Sequence, residues 1–134
     1  MSRDVLGDHV AAWMQRAAAD LAAAEHDLRA EPPLLADVVF HCQQSAEKAL
    51  KALLTAQGVP FGKTHVIGEL AAKLTERDSG FEPLLREAAR LTVYAWRYRY
   101  PGDFVEPPHD EAVEALEVAQ TLFDAVRERL ARRR

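Results

Sequence analysis

The fold of this chain is decided by residues 40–54, which read FHCQQSAEKALKALL. The apolar residues of this stretch recur every three or four positions, as they do on the buried side of an amphipathic helix. Gln44, Lys48 and Lys51 follow one another at similar spacing on a neighbouring side. Glu47 stands one turn before Lys51, the favourable order for a helical ion pair. Two interpretations of this polar side are open: a solvated helix surface, or a groove that meets a nucleotide or RNA.

Length and composition indicate an ordinary globular domain. The chain has 134 residues, of which 49% are hydrophobic and 28% charged, enough to bury a core without disulfides or metal. Its net charge of −4 argues against a protein that coats nucleic acid. The charge is uneven, however: residues 86–100 are basic, residues 103–117 are acidic and the C-terminus is basic again. A local basic patch can hold phosphate even when the whole protein is acidic.

Cys42 is the only cysteine, so an intrachain disulfide is excluded, and we expect a small buried residue at this position. A lone cysteine also favours a cytosolic setting. The first residues contain no apolar segment typical of a signal peptide, and no apolar run approaches the length of a membrane span. We therefore predict a cytoplasmic protein.

Five helical segments are predicted, and no segment alternates as a half-buried strand would. Their approximate limits are residues 8–30, 34–57, 65–77, 81–98 and 109 to the C-terminus. Pro32 and Pro33 end the first segment, Gly58 and Pro60 end the second, and Thr64 is a candidate N-cap for the third. Short connections make successive long helices mostly antiparallel. The prediction is a single all-α domain over residues 1–134, an up-and-down helical bundle of four long helices plus one short helix.

Three sequence elements in one order carry a family resemblance. They are residues 44–54 (QSAEKALKALL), residues 64–70 (THVIGEL) and residues 99–101 (RYP). With these spacings the chain resembles a HEPN domain, the "higher eukaryotes and prokaryotes nucleotide-binding" family, over nearly its whole length. The resemblance implies a compact helical bundle that forms a homodimer, often partnered with a minimal nucleotidyltransferase in a toxin–antitoxin pair. Some members bind nucleotides, and others act as metal-independent RNases.

The resemblance also implies where an RNase of this family carries its catalytic pair. An arginine is followed by four to six residues and then a histidine, near the end of a late helix, and the pair meets across the dimer. This sequence departs from that pattern, because the next histidine after Arg99 is His109, beyond a loop with three prolines. The one formal match, from Arg3 to His9, lies at the N-terminus, and we interpret it as chance. The sequence therefore favours a protein that is not an enzyme, with Arg99 and His65 as the variant catalytic pair if it is one.

Cationic residues in and near the three elements form the candidate site for nucleotide or RNA phosphate: Lys48, Lys51, His65, Arg97 and Arg99. Arginine suits this role because its planar fork matches phosphate oxygens, and Tyr98 and Tyr100 interleave the two arginines, as base-stacking residues do. The alternative for His65 is a ring that hydrogen-bonds a neighbouring loop. The alternative for the arginines is pairing with Asp103 or Glu106.

No cofactor and no metal are expected. The five histidines have no partner at the four-residue helical spacing of a metal site, and the glycines do not form a phosphate-binding loop. Trp13 and Trp96 are expected as anchors of the core or of a dimer interface.

Three functions remain in view. The leading hypothesis is a HEPN protein that binds nucleotide or RNA phosphate at a basic groove, as a homodimer with a nucleotidyltransferase partner. The runner-up is a metal-independent HEPN endoribonuclease that uses Arg99 and His65. The third is a pure protein-interaction module whose exposed apolar faces recruit a partner.

Overall fold

The structure, a computed structural model, describes residues 3–75, 79–102 and 105–133. Within these ranges every regular element is helical and no strand occurs, so the predicted all-α class is confirmed. The α-helices are, in chain order, α1 (Arg3–Arg29), α2 (Leu35–Ala56), α3 (Ile67–Thr75), α4 (Glu82–Ala89) and α5 (His109–Arg132). Two 3-10 segments, Ser79–Phe81 and Arg90–Ala95, flank α4.

The central helix of the bundle is α2. It packs against α1, α3 and α5 and against the 3-10 segment Arg90–Ala95. Thirteen of its 22 residues are buried, among them Leu50, Leu53 and Leu54. Polar residues are included in that number, so most of the polar side of α2 faces other parts of the protein rather than water.

The first two helices form a close hairpin. Prolines at positions 32 and 33 follow the end of α1, as the sequence predicts. Small buried residues, such as Ala17 on α1 and Ala46 on α2, let the two backbones approach. At this close approach the Ser45 hydroxyl donates a hydrogen bond to the Ala17 carbonyl at 2.9 Å. The alanines of α1 therefore act as packing residues as well as helix formers.

The end of α2 is fixed by a glycine. Gly58 has a positive φ of 71°, its N–H donates to the Thr55 carbonyl at 3.1 Å, and the N–H of buried Val59 donates to the Leu54 carbonyl at 3.0 Å. This pair of bonds is the Schellman arrangement, which satisfies carbonyls that the helix end leaves unpaired. The predicted stop at Gly58 is confirmed.

The segment before α3 differs in detail from the prediction. The helix begins at Ile67, and Thr64 shapes the preceding turn: its hydroxyl oxygen accepts the Val66 N–H at 3.0 Å and donates to Glu69 Oε2 at 2.9 Å. The predicted end of this helix, at Arg77, lies outside the described residues.

The predicted fourth helix, residues 81–98, is interrupted. It remains α-helical only to Ala89 and continues as a 3-10 segment, in which Leu91 and Tyr94 are buried three positions apart, the period of a 3-10 helix. The Thr92 hydroxyl oxygen in this segment accepts the Ile67 N–H at 3.0 Å, which ties the segment to the start of α3. Among the described residues the bundle therefore has three long α-helices and two short ones, instead of four long and one short.

Two smaller predictions concern Cys42 and the membrane. Cys42 is fully buried, and its burial, with a smaller contribution from the charge of Asp20, raises the pKa of the thiol to about 12. A thiol with such a pKa is unreactive near neutral pH. None of the described helices combines the length and the apolar character that a membrane crossing needs.

Two glycine substitutions should change the free energy of unfolding in opposite directions. Gly58→Ala should lower the free energy of unfolding by about 1 kcal/mol, because an L side chain strains the left-handed backbone. Gly68→Ala should raise it by about 0.5–1 kcal/mol, because alanine is the better helix former. A Cβ would have open space at both positions, so packing does not enter. Urea denaturation measures both effects.

Gly62→Ala is the matched control, since Gly62 lies in a loop, lacks a positive φ and also has open space around it. Equal effects of the Gly58 and Gly62 substitutions would contradict the assigned helix end.

Candidate functional site

The polar side of α2 is organised around the buried carboxylate of Glu47. Three donors converge on it: Lys51 Nζ at 2.9 Å from Oε2, and His65 Nδ1 at 2.8 Å and Gln43 Nε2 at 3.1 Å from Oε1. Burial would raise the pKa of Glu47, but the hydrogen bonds from His65, Lys51 and Gln43 outweigh it and hold the pKa below its ordinary value of 4.5. Glu47 is therefore a fixed negative charge inside the bundle.

The side chain of Lys51 is buried next to Glu47. It is 6% exposed, and its Nζ lies 5.4 Å from the Trp13 ring centroid and 5.8 Å from that of Phe61. These two rings meet edge to face at 6.2 Å. The ammonium group is therefore enclosed by a carboxylate and two aromatic faces, an arrangement that offsets the cost of burying it. Trp13, predicted as an anchor of the core or of a dimer interface, is half-buried and contacts Lys51 and Phe61, the latter in the loop that follows α2.

The glutamines of α2 hold the loop that carries His65. Gln43 Nε2 donates to the His65 carbonyl at 3.1 Å, and Gln44 Nε2 donates to Gln43 Oε1 at 2.7 Å. The His65 side chain itself is 67% exposed, although its Nδ1 is bound to Glu47. The buried network therefore fixes one edge of an imidazole ring and leaves most of the ring at the surface.

A second carboxylate collects cations on the side of α2 that faces α1. Asp20 of α1 binds Lys48 Nζ through Oδ2 at 2.6 Å and His41 Nδ1 through Oδ1 at 2.9 Å. Lys48 is thus engaged with a carboxylate, as Lys51 is. Both lysines of the predicted phosphate site are held within the protein, and any direct contact of theirs with a ligand stays a prediction.

Arg99 contacts α2 through the ring of Phe40. Its guanidinium carbon lies 3.6 Å from the centroid of the Phe40 ring, a cation–π contact. The preceding residue, Tyr98, has a φ of 69° and its ring stacks against Tyr94 with the centroids 6.4 Å apart. This left-handed residue turns the chain, so that Arg97 and Arg99 face different neighbours.

Arg99 and His65 border the same side of α2. Phe40 and Glu47, their respective contacts, are seven residues apart, which is nearly two helical turns and about 10 Å along the axis. Gln44 lies between them, half-buried. The exposed aromatic residues nearest Arg99 in the chain are Trp96 and Tyr100, which are 46% and 65% exposed. Trp96 is therefore a surface residue rather than a core anchor in this chain.

Arg97 lies in a different place, a cleft of about 300 Å³ between the segment Arg90–Ala95 and α5. Glu111 and Glu114 line the same cleft, and the Tyr94 hydroxyl donates a hydrogen bond to Glu111. Burial, and after it the bond to Glu111, raises the pKa of Tyr94 well above its ordinary value. A phosphate entering this cleft would meet carboxylates as well as Arg97.

The sequence left alternative roles open for His65 and for the arginines Arg97 and Arg99, and the structure bears on each of them. His65 does hydrogen-bond through its ring, but to a buried side chain of α2 rather than to a neighbouring loop. Asp103, one suggested partner of the arginines, lies outside the described residues. In the described part of the chain, neither Arg97 nor Arg99 forms an ion pair with Glu106. The same part contains no group of His, Cys, Asp or Glu side chains able to hold a metal ion.

Several participants in these networks were not candidates from the sequence, among them Asp20, His41, Gln43 and Phe40. Asp20 and Gln43 read as ordinary helix residues, and Phe40 as a core residue. Only the buried environment gives Asp20 and Gln43 their roles, because the sequence pattern does not show which helix covers which side of α2.

A family model and two solved structures each match most of this chain. The HEPN domain model matches residues 10–129. TT1696 from Thermus thermophilus is 34% identical, with a TM-score of 0.74, covering 89% of this chain and 96% of that one. ST0689, described as an archaeal HEPN homologue, is 27% identical with a TM-score of 0.69, covering 96% and 98%. No curated protein matches the chain.

The buried carboxylate predicts a pH dependence of stability. Glu47→Gln should lower the free energy of unfolding by about 3 kcal/mol near neutral pH, because it leaves the buried Lys51 ammonium unpaired. The folded-state pKa of Glu47 is depressed. Its contribution is therefore complete above the ordinary pKa of 4.5 and is lost as the pH falls through the lower, folded value.

The difference between wild type and Glu47→Gln in urea denaturation should therefore shrink as the pH is lowered from about 7 to about 3. Glu82→Gln is the control, because Glu82 forms an exposed pair with Arg86 and its loss should cost under about 0.5 kcal/mol. A difference for Glu47→Gln that is independent of pH would show that the charge of Glu47 does not support the fold.

Proposed function

This chain belongs to the HEPN domain family, and from that premise we propose that it binds the phosphate groups of a nucleotide or an RNA strand on the side of α2 bordered by Arg99 and His65. The observation that carries the proposal is the exposed Arg99 guanidinium on the Phe40 ring, along the same side of α2 as the exposed His65 ring. The two groups give this side a guanidinium fork and an imidazole ring, both at the surface.

The contact with Phe40 makes Arg99 a suitable phosphate ligand. The aromatic face restricts the guanidinium without using its N–H groups as hydrogen-bond donors. A planar fork restrained in this way loses little conformational freedom when it binds two phosphate oxygens. Arg99 is exposed, so a phosphate can reach it.

The neighbouring aromatic residues suit a base attached to that phosphate. Trp96 and Tyr100 are large, exposed and close to Arg99 in the chain. Base–aromatic stacking contributes about 1–3 kcal/mol per base in single-stranded nucleic-acid complexes. An exposed arginine with exposed aromatic residues close to it in the chain therefore favours a nucleotide or RNA over a simple anion as the ligand.

The remaining predicted residues take supporting parts in this proposal. Lys48 and Lys51 hold the carboxylates that fix His41 and His65, and Arg97 adds positive charge at the edge of its own cleft. The homodimer, the nucleotidyltransferase partner and the toxin–antitoxin role rest on the family alone, and we propose them on that basis.

The binding proposal is tested by Arg99→Ala. Affinity for a labelled single-stranded RNA of about ten nucleotides, the site size of a typical single-strand binder, and for ATP should each be measured by titration at fixed salt concentration. Loss of a charge-assisted hydrogen-bonding group should weaken binding roughly 10- to 100-fold. Arg99→Lys should recover part of the affinity, because it keeps the charge without the planar fork.

Arg86→Ala is the matched control, since Arg86 is exposed on α4 and pairs only with Glu82 among the described residues. Equal effects of the Arg86 and Arg99 substitutions would remove Arg99 from the site. A wild-type protein without affinity for either ligand, but in a stable complex with another protein, would support the interaction-module hypothesis instead.

A second function, metal-independent RNA cleavage, is favoured by one observation. Glu47 binds Nδ1 of His65 and the ring is largely exposed, so Nε2 is left for proton transfer. A histidine for acid–base chemistry and an arginine for phosphate charge are chemically sufficient for cleavage next to a ribose hydroxyl. Arg99 and His65 would form this pair.

The cleavage hypothesis predicts RNA degradation in EDTA that His65→Ala slows by about 10²- to 10⁴-fold. His26→Ala, a change at an exposed histidine of α1, should leave the rate unchanged. Cleavage that persists in His65→Ala, or its absence from wild type, would leave binding as the proposed function.

A further inference from the structure

His41, Asp20 and Lys48 form a second polar cluster, in which the phosphate-binding proposal gives the His41 ring itself no contact with a ligand. His41 Nδ1 lies 2.9 Å from Asp20 Oδ1, and Lys48 Nζ lies 2.6 Å from Asp20 Oδ2. The side chains of Asp20, Lys48 and His41 are 12%, 19% and 29% exposed. The ring is therefore held between two helices, with part of its edge at the surface.

The contact with Asp20 determines which nitrogen of the neutral ring carries the proton. A carboxylate accepts hydrogen bonds, so Nδ1 carries the hydrogen and Nε2 carries the lone pair. Both carboxylate oxygens are engaged, which fixes the orientation of the ring. In the described part of the chain no group is bonded to Nε2. This is the arrangement of an imidazole prepared to act through Nε2 as a nucleophile.

A flexible cation lies within reach of the ring. The imidazole of His41 meets the Phe40 ring edge to face, with centroids 5.6 Å apart, and the Arg99 guanidinium carbon lies 3.6 Å from the centroid of the same Phe40 ring. These two distances limit the separation between the imidazole centroid and the guanidinium carbon to about 9 Å at most. An oriented nucleophilic nitrogen and an exposed arginine that can swing towards a bound phosphoryl group are the two groups that phosphoryl transfer to histidine uses.

We propose that His41 is a phosphoryl-acceptor site whose donor is a phosphoramidate, the chemical class that includes the phosphohistidine of another protein. Nε2 attacks phosphorus and the P–N bond of the donor breaks. The donor group, protonated before that bond breaks, leaves with the electron pair as a neutral amine or imidazole. Nδ1 keeps its proton towards Asp20, whose carboxylate lies beside the positive charge that the ring acquires. The reaction exchanges one P–N bond for another and needs no oxidant, reductant or metal.

This proposal goes beyond nucleotide or RNA binding and does not depend on it. A prediction of the phosphorylated residue from exposure alone would not select His41. His65, with 67% of its side chain exposed, and His9, His26 and His109, which are all exposed, are more accessible than His41. If accessibility alone governed the reaction, His41 would be the slowest of the five histidines to react.

The test is to incubate the whole chain with ammonium phosphoramidate and to follow phosphorylation by intact mass and by ³¹P NMR. The modified residue is then mapped by peptide mass spectrometry under alkaline conditions, which preserve phosphohistidine. We expect one phosphoryl group per chain, on His41. His41→Gln should abolish it, and His26→Gln should leave its rate unchanged.

Asp20 is tested as a positioning residue. Asp20→Asn should slow phosphorylation of His41 by at least about tenfold, because the ring loses the carboxylate that orients it. The affinity of the same variant for RNA or ATP is measured separately and reports on the phosphate-binding surface. Labelling in wild type that follows exposure, with His41 last, would overturn the proposal, and so would an unchanged rate in a folded Asp20→Asn variant. If Asp20→Asn does not fold, the order of labelling in wild type decides.

Discussion

A negative charge buried on the central helix is the constraint on which the rest of this structure depends. Glu47 lies inside the bundle, where an ionised carboxylate is tolerated only when donors surround it. Lys51, His65 and Gln43 are those donors, and they come from the same helix and from the loop before α3. Satisfying one carboxylate therefore orders that loop, encloses the Lys51 ammonium between Trp13 and Phe61, and leaves the His65 ring at the surface.

The same principle operates again where α1 covers α2. Asp20 holds Lys48 and His41 just as Glu47 holds Lys51 and His65: each carboxylate binds one lysine and one histidine through Nδ1. The lysines neutralise and fix the carboxylates, and the carboxylates fix the rings. In both clusters the histidine side chain is more exposed than the lysine side chain, although the lysines are the more obvious cations in the sequence.

Arg99 lies close to these clusters because it contacts Phe40, which lines up with Glu47 on α2 and also contacts His41. Its position depends on the interrupted fourth helix. Had residues 81–98 continued as one α-helix, the stretch after Arg90 would not follow its 3-10 path, and Tyr98 would not turn the chain. The two arginines of this segment therefore have different surroundings, and only Arg99 borders the side of α2 that exposes His65.

The sequence by itself determined the helical class, the C-terminal ends of α1 and α2, the burial of Cys42 and the family. These features depend on local rules: apolar spacing, the missing donor of proline and the tolerance of Gly58 for a positive φ. The tertiary structure alone decided the ionic partners of Lys48, Lys51 and His65, the separation of Arg97 from Arg99 and the role of Asp20. Ionic partners depend on which helix covers which side of α2 and on how deeply a charge is buried, and neither quantity is contained in the spacing of residues along one chain.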